Sequence, residues 1–478
     1  MASGLAKAGV GVGVVVLAGA AWAGGDRLVQ AQAQDSLQEA LERFEADADA
    51  VDELDIIRLD YDRDTGTVDY RFRYRPAPDS PLHEPLAELQ ATPQPSLSAS
   101  GRMEVERYGL GDWVTGRPFR AVGTLPWARD VADDLPDLRE DHWATFEIAH
   151  RPGGDTRMQL QGTGYDGDLL MAGQHRIGEI SWADWEASAR VAGEDGLQAL
   201  HADFPHAWIG VPGEVDLRID GLRMRGDDLV IVDSLMVGGD TEFALERLEG
   251  QFDDAAFRMH DLVLAGMTEE RDGRSLSDLS LALGETRMEG LTGLQEFRAE
   301  LHVDLDADSV RAAGRIGREV EAGEYALEEI DALYHQWLMD TASHGAALEL
   351  RELQLVDGAG DAMDGQLSLR AGEIPEAAWQ GPQLLEYLSG SLHAGVDRGL
   401  IRTSVREEMA VRNPHTADGE LDREADELVA AIMQGAREFP LFTVEDERVR
   451  LDLEVEEGMI VVDGEPMMAM TDLMMLLQ

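Results

Sequence analysis

The sequence predicts an α+β, strand-rich fold: an N-terminal membrane helix, extended antiparallel β-meanders with interspersed helices, and a helical C-terminal third. Three observations predict it. An uncharged apolar stretch lies at Ala8–Gly25, apolar and polar residues alternate through the middle of the chain, and apolar residues recur at three- and four-residue steps near the end. We therefore expect a membrane helix over 1–25, a stalk helix over 26–50, a strand-rich region over 51–345 and an α+β region over 346–478.

The stretch Ala8–Gly25 is long enough to cross a bilayer, since 18 residues reach about 27 Å as a helix. It is either an uncleaved signal anchor or a signal peptide removed after Ala23, where Ala-Trp-Ala resembles a cleavage site. A buried helix of the folded body is disfavoured, because its six glycines would each cost about 1 kcal/mol. Lys7 precedes the stretch and the acidic bulk follows it, which predicts a single-pass protein of the bacterial inner membrane with its bulk in the periplasm.

The periodicity changes after the stalk. Apolar residues at helical spacing predict the stalk helix, and they are Leu37, Ala40, Leu41 and Phe44. Strict alternation from Ile57 to Tyr61 and from Val68 to Tyr74, with Asp64-Thr65-Gly66 between, predicts a β-hairpin.

Alternating or β-rich runs continue through the middle of the chain. The predicted strands are Val215–Ile219, Leu229–Val237, Phe257–Leu264, Leu279–Leu283, Phe297–Leu305, Leu348–Leu355 and Leu367–Leu369. Short connections between them favour antiparallel meanders. Two helices are predicted inside this region, at Ile180–His201 and at Tyr325–Thr341, from tryptophan and leucine residues at helical spacing.

The C-terminal third is predicted to be mainly helical. Pro382 can begin a helix whose leucines extend to Val396, and a second helix is expected at Leu421–Glu438. A hairpin follows, with strands at Val449–Val455 and Met459–Val462.

Composition excludes several functions. The chain has 40 basic and 95 acidic residues and a formal charge of −55, so it lacks the positive surface that nucleic-acid binding needs. Lys7 is its one lysine and it has no cysteine, which excludes phosphate-loop, Schiff-base, thiolate and iron–sulfur chemistry. A chain this acidic is typical of a halophilic bacterium. In about 1 M salt the screening length falls to about 3 Å, so neighbouring carboxylates hardly repel one another.

The sequence indicates no catalytic, cofactor-binding or metal-binding residue. The Asp60-x-Asp62-x-Asp64 spacing resembles a calcium loop but lacks its glycine and its final glutamate, and Asp304, Asp306 and Asp308 fail in the same way. His201 and His206 are separated by Pro205, and no His-Glu-x-x-His or Gly-x-Ser-x-Gly motif occurs.

The glycine-rich anchor ending in tryptophan, the early hairpin, the long alternation and the terminal Asp463-Gly464-Glu465-Pro466 together resemble the YdgA-like family of uncharacterised bacterial inner-membrane proteins. The resemblance implies a single-pass protein with a large periplasmic domain and no known catalytic residues. The chain departs from the family at the hairpin, where Arg63-Asp64-Thr65 replaces an Arg-Gly pattern.

Two functions remain. The first is a non-catalytic envelope protein, held in the membrane by Ala8–Gly25, that acts as a scaffold or binds lipid-like or protein partners through an apolar sheet face. The second is a periplasmic hydrolase that uses carboxylates on cell-wall or polysaccharide material. An apolar sheet face open to solvent would favour the first.

Overall fold

The structure is a computed structural model of the chain. It describes residues 54–62, 67–75, 97–105, 119–126, 135, 138, 142–150, 155–171, 175–192, 196–232, 235–252, 255–288, 293–321, 325, 327–372, 374, 387–412, 416–439, 441–456, 458–462 and 465–469. The predicted membrane helix at Ala8–Gly25 and the predicted stalk helix lie outside these residues. None of the helices in the described ranges is long and apolar enough to cross a membrane.

The chain forms two compact units. The first comprises Met1–Asp216 and Arg223–Arg225, and the second comprises Leu217–Leu222 and Gly226–Gln478. Ten strands, all before residue 212, belong to the first unit: β1 (Leu54–Asp62), β2 (Thr67–Tyr74), β3 (Leu97–Val105), β4 (Phe119–Pro126), β5 (His142–His150), β6 (Asp155–Gly162), β7 (Tyr165–Met171), β8 (His175–Trp182), β9 (Trp185–Ala192) and β10 (Gly196–Val211). The next strand, β11 (Val215–Val232), has residues in both.

The first unit is an antiparallel meander whose strands pair in the order β1, β2, β3, β4, β5, β6, β9, with β10 pairing both β9 and β8. Its core follows the register, because residues that face each other across antiparallel strands lie on the same side of the sheet. Ala121 faces Ile148, which faces Met158, and all three are buried. The hairpin predicted at residues 57–74 is confirmed as β1 and β2.

Aromatic rings cover glycines in this unit. Trp185 lies opposite Gly162, and a Cβ built on that glycine would meet the indole at 1.8 Å. The indole also stacks on Phe204 with ring centroids 4.8 Å apart. Glycine is therefore required at position 162, since the ring occupies the space of a side chain.

Within the described ranges, the second unit contains twelve more strands and four helices. The strands are β12 (Leu235–Phe252), β13 (Ala255–Arg271), β14 (Arg274–Leu283), β15 (Thr286–Met288), β16 (Leu294–Asp306), β17 (Ala346–Asp357), β18 (Ala362–Ala371), β19 (Leu388–Asp397), β20 (Phe442–Glu445), β21 (Arg448–Glu456), β22 (Met459–Val462) and β23 (Glu465–Ala469). The helices are α1 (Ala307–Glu321), α2 (Leu327–Ser343), α3 (Arg398–Arg412) and α4 (Asp418–Glu438).

These strands form one long antiparallel meander in the order β12, β13, β14, β16, β17, β18, β19, β21. The helices are inserted in pairs between strands: α1 and α2 between β16 and β17, and α3 and α4 between β19 and β20. The final hairpin of β21 and β22 confirms the one predicted at residues 449–462.

The helices are fixed by caps and packing. Asp306 begins α1, because its Oδ1 accepts the backbone N–H of Asp308 at 3.1 Å. Trp337 of α2 donates its Nε1–H to the carbonyl of Ser309 on α1 at 2.8 Å, which joins the first pair. On α4 the buried residues recur every four positions, and they are Leu421, Ala425, Val429 and Met433.

Two strands carry local irregularities that switch the parity of their apolar positions. In β13 the apolar residues are Phe257 and Met259 before Asp261, and Leu262 and Leu264 after it; Asp261 has a φ of 53°. In β17 a register shift beside Leu350 has the same effect before Leu353. The bulge in β17 keeps Leu350 and Leu353 on one face of the sheet, whereas β13 keeps a single register with its neighbours on both sides of Asp261.

Two predicted helices are wrong. Residues 180–201 form the end of β8, all of β9 and the start of β10, because Trp185, Ala187, Ala189 and Val191 also alternate with polar residues and lie opposite β6. The helix predicted from Pro382 is contradicted where the structure describes it, since Leu388–Asp397 is β19. In its described residues the C-terminal third is consequently not mainly helical: strands predominate there, with one helical pair.

Other predicted elements are confirmed, whereas helices α1 and α3 were not predicted. The helices expected at Tyr325–Thr341 and Leu421–Glu438 appear as α2 and α4. The run Leu229–Val237, predicted as one strand, is divided between β11 and β12. The remaining predicted strands from Phe257 to Leu369 are confirmed as parts of β13, β14, β16, β17 and β18.

Candidate functional site

Six leucines face one another across six consecutive strands of the second unit. We call them the leucine row: Leu279, Leu301, Leu350, Leu367, Leu392 and Leu453. Each leucine lies directly opposite the next in the antiparallel ladder, so all six side chains are on the same face. At about 4.8 Å between strands, the row is about 24 Å long.

Three neighbouring rows extend this surface along the strands. The first holds Leu281, Ala299, Leu353, Gly365, Ala394 and Leu451; the second holds Leu283, Phe297, Leu355, Met363, Val396 and Val449; the third holds Ser277, Val303, Leu348, Leu369, Gly390 and Val455. With the leucine row they make up what we call the apolar face. None of these positions is charged.

The apolar face remains open to solvent. In the leucine row, Leu279 is 46% exposed and the other five leucines are half-buried. In the third neighbouring row, Leu369 is 40% exposed and Leu348 is 36% exposed. The four rows cover about 24 Å by 20 Å, or about 480 Å². Apolar patches of about 300–600 Å² on a monomer are often functional, so this surface is the candidate site.

The opposite face of the same strands carries ion pairs. Asp278 of β14 accepts hydrogen bonds from His302 Nδ1 and Arg351 Nη1, each at 2.8 Å. Arg370 donates a hydrogen bond to Glu349 at 2.7 Å. This bond lowers the pKa of Glu349 below its usual value, because its effect exceeds the opposite effect of partial burial. The sheet therefore separates a charged face from an uncharged one.

Hydroxyl groups lie at the β12 end of the leucine row. Beyond Leu279 the register continues to Gly266 and then to Thr241, whose hydroxyl donates to the Gly266 carbonyl at 3.4 Å. In the next row the hydroxyls of Thr268 and Ser277 are 3.1 Å apart. One end of the row is thus polar without being charged.

Helix α1 contacts β12, β14 and β16. Its Arg311 pairs with Glu270 of β13 and with Asp308, and these hydrogen bonds raise the pKa of the Arg311 guanidinium. Thr268 and Ser275, near the ends of β13 and β14, are buried. The hydroxyls of Thr268 and Ser275 are therefore covered next to α1, while Leu279, at the same end of the leucine row, is 46% exposed.

A carboxylate cluster lies at the start of α3. Asp357 is 1% exposed, and its Oδ1 accepts the N–H groups of Ala359 and Asp361 at 2.8 and 2.9 Å. Asp397 Oδ2 accepts the N–H of Ala362 at 2.8 Å. Burial raises the pKa of Asp361, and the negative charges of Asp357 and Asp397 raise it further. These bonds fix the β17–β18 turn, so the cluster has a structural role.

The residues weighed for metal binding are not brought together. Asp304 pairs with Arg274 at 2.7 Å and Asp306 caps α1, while Asp60 and Asp62 lie on β1. His201 and His206 both lie on β10, and His344 Nδ1 is 2.7 Å from the Asp340 carbonyl oxygen. Within the described ranges, no group of three or more histidine, aspartate or glutamate side chains is arranged to hold a metal ion.

The described part of the chain thus consists mainly of antiparallel strands, and the sheet of its second unit has one uncharged face. A family profile matches residues 145–469, which is more than half of the sequence. The chain belongs to this family, DUF945, which comprises bacterial proteins of unknown function. No curated protein and no solved structure matches it.

Proposed function

We propose that this chain is a non-catalytic, membrane-anchored envelope protein that binds an apolar guest on the apolar face of its second unit. One observation carries the proposal: the leucine row and its neighbours form a continuous uncharged surface whose leucines are up to 46% exposed. Covering apolar surface contributes roughly 25 cal/mol per Å², so even partial cover of such a surface would drive binding. The resemblance to YdgA-like proteins agrees with this role.

The test measures fluorescence of Nile red, a dye that brightens in apolar sites, on titration with the full chain. We expect saturable brightening with the wild type and weaker binding after Leu279→Gln and Leu367→Gln. The matched control is Leu338→Gln, which changes a leucine of α2 that is 56% exposed and outside the apolar face. The absence of saturable binding, or equal binding by the row variant and the wild type, contradicts the proposal.

The location is a second part of the proposal. Ala8–Gly25 would hold the chain in the inner membrane with its bulk in the periplasm. Fractionation of cells followed by mass spectrometry of the N-terminus separates the alternatives: an intact Met1 or Ala2 in the membrane fraction means an anchor, and a new terminus at Gly24 means cleavage after Ala23. Recovery of the intact chain in the cytosol contradicts this location.

A further inference from the structure

We propose that the guest is a single long acyl chain that lies across β14 to β21 along the leucine row, with an uncharged polar head beside Thr241. This inference rests on the proposed function and names the class of ligand. The row crosses the strands and is about 24 Å long, the scale of one extended long acyl chain. Smaller side chains line the row beside it at Ala299, Gly365 and Ala394, which leaves a shallow strip for such a chain.

Hydrogen bonding argues against an extended polypeptide as the guest. The strands under the row are paired on both sides, so their backbone N–H and C=O groups are used within the sheet. Leucine side chains have no polar atoms. A peptide laid across the row would lose hydration from its own backbone groups without gaining partners, at a cost of about 1–3 kcal/mol for each group. A hydrocarbon chain has no such groups to lose.

The distribution of charge argues against a basic amphipathic helix. Such a helix satisfies its own backbone, but it would need acidic partners beside its apolar stripe. The acidic residues of these strands, among them Asp278, Glu349 and Asp452, have ion-pair partners on the opposite face. The apolar face therefore offers contact without charge.

The two ends of the row give the guest a direction. At the β12 end, a Cβ built on Gly266 would lie 3.1 Å from Leu279 Cδ2 and 3.2 Å from Thr241 Oγ1, so the last leucine and the first hydroxyl meet over this glycine. At the other end, Leu453 is flanked along β21 by Leu451 and Val455. A hydroxyl or ester head would lie at Thr241, and the formal charge of −55 disfavours an anionic head.

The experiment is displacement of Nile red from the full chain by 1-acylglycerols of increasing chain length. We expect 1-oleoylglycerol to displace the dye, with affinity rising about two- to fourfold per methylene among shorter chains. Leu279→Gln with Leu367→Gln should weaken displacement at least tenfold, and Leu338→Gln should not change it. Thr241→Val should weaken 1-oleoylglycerol severalfold and leave Nile red binding unchanged. Circular dichroism melting establishes that each variant is folded.

Two comparison ligands make the result decisive. Sodium oleate carries the same chain with a charged head and should bind more weakly than 1-oleoylglycerol, and a basic amphipathic peptide should not displace the dye. If Nile red binds the row but 1-oleoylglycerol fails to displace it, or the peptide displaces it better, the acyl-chain inference is overturned while the proposed function stands. If oleate binds better, the assignment of an uncharged head is overturned. If Nile red itself does not bind, both fall.

Discussion

One residue of β13 has a backbone conformation that is unusual inside a strand. Asp261 has a left-handed φ of 53° in the interior of β13, a conformation that costs most residues about 1–2 kcal/mol but that aspartate tolerates better. It marks the position at which the apolar residues change from odd to even numbers.

Substitution at Asp261 should therefore depend on backbone freedom. We expect Asp261→Gly to change the free energy of unfolding by less than about 0.5 kcal/mol, and Asp261→Val to lower it by about 2 kcal/mol because a β-branched residue is strained there. Glu269→Val, at an exposed and regular position of the same strand, is the control and should be nearly neutral. Urea denaturation in concentrated salt measures all three variants. Equal loss in the two valine variants would contradict backbone strain at position 261.

Two carboxylates should respond to pH with opposite signs. The pKa of Asp361 is raised in the folded chain, so its protonated form is favoured and folding loses stability as pH rises through that pKa. Asp361→Asn should thus be more stable than the wild type near pH 8, and the gain should shrink toward pH 4. The measurement is the difference in free energy of unfolding at the two pH values.

Glu349 gives the converse case. Its pKa is lowered by Arg370, so its contribution is present above the unfolded pKa and is lost as pH falls through the folded one. We expect Glu349→Gln to be less stable than the wild type near neutral pH and to approach it in acid. If both variants shift in the same direction with pH, the assignment of these two environments is wrong.

At the scale of elements, periodicity predicted the existence of strands but did not always separate strand from helix. Leu388, Leu392 and Val396 are four residues apart, a spacing that suits a helical face and also one face of a strand. This segment is a strand because it pairs with β18 and β21, and such pairing cannot be read from one sequence. Two helices were not predicted: α1 contains Gly314 and Gly317, and α3 contains Gly399 and several β-branched residues, all of which lower helix propensity.

The candidate site was predictable only in kind. Alternation indicated sheets with one apolar face, because leucines and charged residues occupy alternate positions. The leucine row itself depends on register: Leu301 and Leu350 face each other only because the ladder shifts at Glu300 and Leu301. A single sequence gives no information about such shifts.

Helix α4 allows a matched test of burial within one element. Val429 is 0% exposed, and the adjacent Leu428 is 47% exposed. Val429→Ala removes two buried methyl groups and should lower the free energy of unfolding by about 2 kcal/mol. Leu428→Ala should change it by less than about 0.5 kcal/mol. Thermal or urea denaturation compares them, and a larger loss from Leu428→Ala would mean that α4 packs through another face.

At the scale of the whole molecule, the formal charge of −55 predicts dependence on salt. The screening length grows from about 3 Å at 1 M salt to about 30 Å at 0.01 M, so repulsion among carboxylates returns when salt is removed. We expect the melting temperature to fall by at least about 5 °C between molar and millimolar potassium chloride. Sucrose in place of the salt should not restore it, and a melting temperature independent of salt would refute the prediction.

The bulge beside Leu350 shows how this sheet accommodates changes of length. Because side chains alternate, an insertion of one residue inverts everything that follows it along a strand, and an insertion of two restores the original order. Single-residue insertions in β14 or β18 should therefore be selected against, and paired insertions tolerated. Homologous chains would then differ in strand length by even numbers of residues. Odd differences would be confined to sites that already hold a bulge.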